Sequence, residues 1–218
     1  MRIVRSTLTV AAALATVTAA RGIPTARADD PAVGATTYFT YETFMSPAQE
    51  PGEESETPKA AQKVFGATKP STARARRASR GFARVRFQRD LARAVLELEL
   101  KGIDPLDIVA VQVQCGAPDG VGPSLVDVGK LLDLGKALHG GKLSVQIGLD
   151  AVATTQVWPA GLPFRITESC PVEPGTPATV TTIAGMERLA RRGLLYVNVR
   201  TKAHLFFGEI RGQLFIDQ

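Results

Sequence analysis

Two neighbouring stretches of this chain alternate apolar and charged residues with a period of two, and that pattern limits the fold more than anything else in it. In residues 82–87, Ala83, Val85 and Phe87 alternate with Arg84 and Arg86. In residues 94–100, Leu96, Leu98 and Leu100 alternate with Glu97 and Glu99. Successive side chains of a strand point to opposite faces, so period two is the mark of a half-buried strand. Gln88 to Leu91 can turn the chain between them, which predicts an antiparallel hairpin with one buried face. Its outer face sets Arg84 and Arg86 near Glu97 and Glu99, in cross-strand pairs that contribute ~0.2–1 kcal/mol each.

The rest of the chain extends the same reading. Residues 36–44 are rich in Thr, Tyr and Phe and read as a first strand. In 108–115, Val109, Val111, Val113 and Cys115 face one way, and Ala110, Gln112 and Gln114 the other. A Gly/Pro-rich turn follows at 116–123. Residues 143–149 alternate again, and 164–167 more weakly. Leu195, Val197 and Val199 point inward along 194–200, and 209–216 read as a closing strand with Gly212 as a candidate bulge. Residues 128–138 and 185–192 read as short helices. Eight or nine short strands between Gly/Pro turns predict an all-β fold, an antiparallel sandwich or barrel, Ig-like in style.

The N-terminus reads as an export signal. Arg2 and Arg5 precede an apolar run at 8–20, too short for a membrane span of ~20 residues. Ala26-Arg27-Ala28 then offers small residues before a cleavage point at Asp29. The expected organisation is a signal peptide over 1–28 and a single β domain over 29–218, exported to the periplasm or the medium, with no membrane span after cleavage. Removing Arg2, Arg5, Arg21 and Arg27 from the 26 basic residues leaves 22 against 21 acidic, a net of +1. The basicity of the whole chain therefore gives no reason to expect a nucleic-acid partner. In an oxidising compartment the two cysteines, Cys115 and Cys170, are expected to form one disulfide.

Residues 45–80 carry an acidic block and then a basic one, and are expected to form a flexible, charged surface insertion. Arg74, Arg76, Arg77 and Arg80 are candidates for contact with a polyanion. The longer stretch 59–93 holds eleven basic residues and one acidic residue. Enzyme signatures find no support. There is no Gly-x-Ser-x-Gly elbow and no phosphate-binding glycine loop. The two histidines, His139 and His204, stand in no Ser–His–Asp motif.

Several pieces resemble the chordin-type CHRD domain family, in the family's order. Ala48-Gln49-Glu50-Pro51 resembles an early Gln-Glu-Val-Pro turn. Residues 81–87 and 96–103 resemble the next hairpin and its exit. Residues 111–123 resemble a His-Ile-His-x-Gly…Gly-Pro segment. Residues 189–214, with Tyr-Val-Asn-Val-Arg-Thr and Gly-Glu-Ile-Arg-Gly-Gln, resemble the closing block, and the match spans roughly 38–214. The resemblance implies an extracellular β module. The family's paired histidines fall here on Gln112 and Gln114, and the histidine of its closing block falls on Arg200. Gln is a weak metal ligand and Arg is none, so neither a metal nor another cofactor is expected.

The polar residues of the closing block are instead expected to form a structural network. Glu209 and Arg211 share a strand face, as do Asn198 and Arg200 on the strand before. The network would have Asn198, Glu209, Gln213 and Gln112 bracing Arg200 and Arg211, all with their hydrogen bonds satisfied. The function expected is a non-enzymatic binding or scaffolding module, with a protein or envelope component as partner. Two alternatives stand beside it. One is a Cu/Zn or redox protein on a sandwich similar in style to superoxide dismutase. The other is an envelope or adhesion protein that contacts anionic polymers through its basic segment.

Overall fold

The alternating pair forms the hairpin that its pattern predicts. Strand β2 (Arg80–Gln88) pairs antiparallel with β3 (Ala94–Lys101), setting Phe87 opposite Ala94, Val85 opposite Leu96 and Ala83 opposite Leu98, all buried. Arg84 and Arg86 lie on the outer face, where Arg86 meets Glu97 at 2.7 Å and Arg84 meets Glu97 at 3.6 Å and also Glu42. Glu99 pairs with Lys142 at 2.7 Å rather than with an arginine. The computed structural model describes residues 38–63, 65–155, 169–171, 174 and 178–216. The expected signal peptide and the weak strand at 164–167 lie outside the described residues.

The hairpin sits in a five-stranded sheet. Its neighbours are β1 (Tyr38–Met45) on one side and β6 (Lys142–Ile147) on the other, and the two-residue β9 (Phe215–Ile216) lies beyond β1. A second sheet has the order β5-β4-β7-β8, built from β4 (Ile108–Cys115), β5 (Ser124–Asp127), β7 (Leu195–Thr201) and β8 (Ile210–Gln213). All the pairings are antiparallel. The inner faces meet in one apolar core. Tyr41, Val85, Phe87, Leu96 and Leu98 come from the first sheet, and Val111, Val113, Val197, Val199 and Ile210 from the second. The architecture is an all-β sandwich.

Three strand expectations need correction. Val109 does not face inward with Val111 and Val113 but is exposed at a register shift between Ile108 and Ala110. Residues 209–216 are not one strand: the chain leaves the second sheet after Gln213, turns at the fully buried Leu214, and joins the first sheet as β9. Gly212 is not a bulge but pairs regularly with Val197. A β-carbon there would fall 2.5 Å from Thr43 Cγ2, so glycine lets β8 pass close to β1. Strand β5 was not expected at all. Its four residues, Ser-Leu-Val-Asp, are too few to show an alternation.

Three helices are described. Lys59–Gln62 (α1) and Leu134–Ala137 (α2) are single turns, and Ile183–Arg191 (α3) is longer. Thr182 caps α3 by accepting from Gly185 N at 3.0 Å. The helix buries Ile183, Met186 and Leu189 against the core. Its buried Glu187 accepts from Tyr41 Oη at 2.7 Å and pairs with Arg191 at 2.9 Å. Burial, and then Glu187 itself, push the Tyr41 phenol up to about 12.

The disulfide is present. Cys115 and Cys170 are bonded with their Cα atoms 5.4 Å apart, both buried. The sequence separation is 55 residues. For a closed loop of that size the chain-entropy model gives about 4 kcal/mol of stabilisation. No helix of the described residues is long and apolar enough to cross a membrane.

Residues 46–79 depart most from expectation. The stretches around Glu50 and Arg77 pack along the outer face of the second sheet as a strap, while residues 66–73 between them stay exposed as expected of a surface segment. Single 3-10 turns at Pro47–Gln49, Glu54–Glu56 and Arg74–Arg76 shape it. Glu50, Thr57, Arg77 and Ser79 within it are buried. Composition suggested solvation, but the opposite charges of the segment find partners within it and on the sheet beneath.

Candidate functional site

The outer face of the second sheet carries the polar half of each strand's alternation. Strand β4 contributes Gln112 and Gln114, β7 contributes Tyr196, Asn198 and Arg200, and β8 contributes Arg211 and Gln213. In register, Gln112 lies opposite Asn198, which lies opposite Arg211; Gln114 lies opposite Tyr196, which lies opposite Gln213. A polar sheet face ordinarily meets water, but each of these residues is buried. The strap and the loop at 116–122 cover them. Gln49-Glu50-Pro51, the Gly116–Gly122 turn and the closing block, far apart in the chain, all meet here.

Arg211 is the centre of the layer. It is 1 % exposed, with its guanidinium carbon 3.5 Å from the centroid of the Tyr196 ring. Its Nη1 donates to Gly120 O at 2.6 Å, and its Nη2 to Ala117 O at 2.8 Å and Gln213 Oε1 at 3.1 Å. Gln213 Nε2 donates to Gly116 O and Gly193 O, and Tyr196 Oη accepts from Gly122 N at 3.0 Å. Together they hold the loop against the sheet. Gly122 is indispensable to that seating, since a β-carbon there would lie 1.7 Å from Cys115 O.

Glu50 reaches into the same layer from the strap. It is 2 % exposed and receives Asn198 Nδ2 at 3.3 Å on each oxygen. Burial pushes its carboxyl up to about 8, against the opposing pull of Arg211, Arg200, Arg77 and the Asn198 hydrogen bond. Burial also lowers the pKa of both Arg200 and Arg211. Gln114 Nε2 donates to Gln112 Oε1 at 3.4 Å.

Glu209 does not brace Arg211 as the sequence led us to expect. It anchors a second cluster, accepting from Ser79 Oγ at 2.6 Å and Thr201 Oγ1 at 3.2 Å, and meeting His204 Nδ1. Burial raises the Glu209 pKa, but hydrogen bonds from His204 and Ser79 and the charges of His204 and Arg77 outweigh it, so the net shift is downward. His204 Nε2 lies 3.0 Å from Thr72 N and 3.1 Å from Thr72 O, so the imidazole fastens the strap. Ser, His and a carboxylate thus come together, but wired unlike a hydrolytic triad. The carboxylate sits between serine and histidine, and the outer imidazole nitrogen faces the backbone of Thr72. The imidazole is therefore not placed to take the proton of Ser79, whose hydroxyl donates to Glu209 instead.

His204 and Glu209 are also a His–carboxylate pair, but their ligand atoms face each other, Ser79 and Thr72. Among the described residues no group of three or more His, Cys, Asp or Glu side chains is placed to hold a metal ion.

The candidate polyanion contacts are divided. Arg77 is buried and gives Nη1 to Gly208 O and Glu209 O at 3.0 Å each. Arg74 gives Nη1 to Glu50 O at 2.5 Å and Nε to Glu53 at 3.2 Å. Arg76 and Arg80 stay exposed, although Arg80 bonds back to Arg77 O and Ser79 O. A 3-10 turn sends neighbouring side chains in three directions, so the basic run is not one surface.

Glu54 and His204 are among the participants that sequence reasoning missed, with Glu50, Ser79, Gln114, Tyr196 and Thr201. The Glu54 carboxylate accepts from the amides of Leu205, Phe206 and Phe207 at 2.9–3.3 Å. No motif marks Glu54 or His204, and only the fold brings their partners to them. Comparison of the chain with protein-family models, with curated proteins and with solved structures finds no match.

Proposed function

We propose that this chain is an exported, non-enzymatic module with a CHRD-like domain, built for binding or scaffolding. One observation carries the reading: the polar residues that make the closing block distinctive are directed onto backbone and onto each other beneath the strap. Arg211, which could have met a ligand, gives its bonds to Gly120 O, Ala117 O and Gln213. Those residues secure a loop and leave the outer surfaces free for a partner. The pieces that resemble the CHRD pattern meet in this layer, which favours the family reading. The Cys115–Cys170 bond suits an oxidising compartment.

Two surfaces are open to such a partner. One is the outer face of the first sheet, where Phe44 is 79 % exposed and packs on Phe82 with ring centroids 5.5 Å apart. The other is an open groove of about 420 Å³ bordered by Lys69, Arg76, Asp104, Asp107 and His204. The test is purification of the protein from its native exported fraction, with N-terminal sequencing and elemental analysis. A mature chain starting at Asp29 with no stoichiometric metal is expected. Stoichiometric Cu or Zn would overturn the proposal in favour of the metal-binding alternative, and an unprocessed chain would remove the exported part of it.

A further inference from the structure

Where Glu50 of the strap meets the second sheet, the hydrogen bonding is unbalanced; among the described residues, Thr57 Oγ1, Arg77 Nε and Gln114 Oε1 are buried without a hydrogen-bond partner as well. Asn198 Nδ2 donates to Phe207 O at 2.9 Å as well as to Glu50, which fixes the orientation of the amide. Its Oδ1 is buried and receives no donor. A β-carbon built on Gly208 would lie 2.6 Å from Asn198 Oδ1 and 2.7 Å from Glu50 Oε1, so the two oxygens crowd the same point. An ionised Glu50 would bring a second acceptor to an acceptor that has no donor. A proton on Glu50 would supply a donor beside it.

We propose that Glu50 is a protonated latch: with the strap docked it is the neutral acid, it donates its O–H to Asn198 Oδ1, and its ionisation loosens the strap. The groups that face it do not hold it ionised. From β8, Arg211 gives its donors to Gly120 O, Ala117 O and Gln213. From the strap, Arg77 gives Nη1 to Gly208 O and Glu209 O, and Arg74 bonds the Glu50 carbonyl rather than its carboxyl. From β7, Arg200 and the Tyr196 phenol act at longer range, and Glu54 is engaged by the amides of 205–207. Burial, which pushes the carboxyl up to about 8, agrees with the geometry.

The sign follows from the direction of the shift. The folded-state pKa is raised above the ordinary carboxyl value of 4.5. Docking therefore takes up a proton, and the stabilisation is complete below that ordinary value. It is lost as the pH rises towards about 8 and levels off beyond. Glu209 acts in the opposite sense. Its lowered pKa makes its contribution fail in acid, so it does not mimic an alkaline loss.

Two measurements on the full chain test the latch. The first is difference infrared spectroscopy of the wild type against E50Q. A carboxylic-acid C=O band assigned to Glu50 is expected at about pH 6 and should disappear by about pH 9. The second is amide hydrogen exchange in the strap. Its opening constant should rise by up to about tenfold per pH unit between about pH 5 and 8 in the wild type, the slope for one linked proton. In E50Q, whose neutral amide can donate as the acid does, the slope should vanish while the strap stays docked. An ionised Glu50 at about pH 6, or an unchanged slope in E50Q, would overturn the proposal. The infrared measurement on the wild type decides even if the variant folds poorly.

Discussion

The outer faces of the two sheets begin from the same kind of sequence and end in opposite environments. On the first sheet, Arg84, Arg86, Glu97 and Glu99 alternate with core residues and remain partly or fully in water, joined in a lattice of ion pairs. On the second, Gln112, Gln114, Asn198, Arg200, Arg211 and Gln213 also alternate with core residues, yet all are buried beneath the strap and the 116–122 loop. The difference teaches what a polar stripe is worth. In water each pair replaces hydration that was already good, so removing one changes little. Under a cover, each group that loses its partner carries the full desolvation penalty. The covered face is therefore where single substitutions should matter.

The sharpest way to break the comparison is Arg211→Ala. It removes three hydrogen bonds and the stack on Tyr196, and leaves Gly120 O without its Arg211 donor, while Ala117 O keeps only the amide of Gly120. Truncating one member of a buried charged network costs about 3–5 kcal/mol. For a domain of this size, thermal unfolding should show a fall in Tm of roughly 10 °C. An unchanged melting curve would mean that the covered layer is no more demanding than the open one.

Glu54→Gln should have an intermediate effect. It weakens a carboxylate held by three backbone amides, and hydrogen bonds to charged groups are worth about 1.5–3 kcal/mol each. Limited proteolysis should show faster cleavage within 46–79 while the rest of the sandwich stays intact. Cleavage at the wild-type rate would show that the strap is held elsewhere.

Arg84→Ala should have the smallest effect. Arg84 bridges Glu42 and Glu97 across three strands, but in water. Urea unfolding should shift by less than about 1 kcal/mol, and less still in high salt. A loss as large as that of Arg211→Ala would erase the distinction between the two faces.

Much of this was legible before folding, and the reasons are local. Ala83 to Phe87 and Leu96 to Leu100 declare strands because period two is a property of the backbone that any reader of the sequence can apply. Thr182 before the short apolar period of α3 marks a helix start in the same way, although the reading from sequence began at Gly185. The disulfide followed from there being two cysteines and an expected export. The shared face of Asn198 with Arg200 on β7 was legible too. Whether that face was wet or covered was not. Glu209 was assigned to Arg211 because they are two residues apart, and it turned instead to Ser79 and His204, which lie on the strap side and in the 202–208 turn.

The sequence alone determined the alternation, the all-β antiparallel class and the paired cysteines, because each is encoded in the chemistry of near neighbours or in a count. Only the tertiary structure decided that the stretches around Glu50 and Arg77 are a strap rather than a solvated insertion. Their charges look alike whether they face water or partners more than a hundred residues away, and burial is a property of where the chain returns.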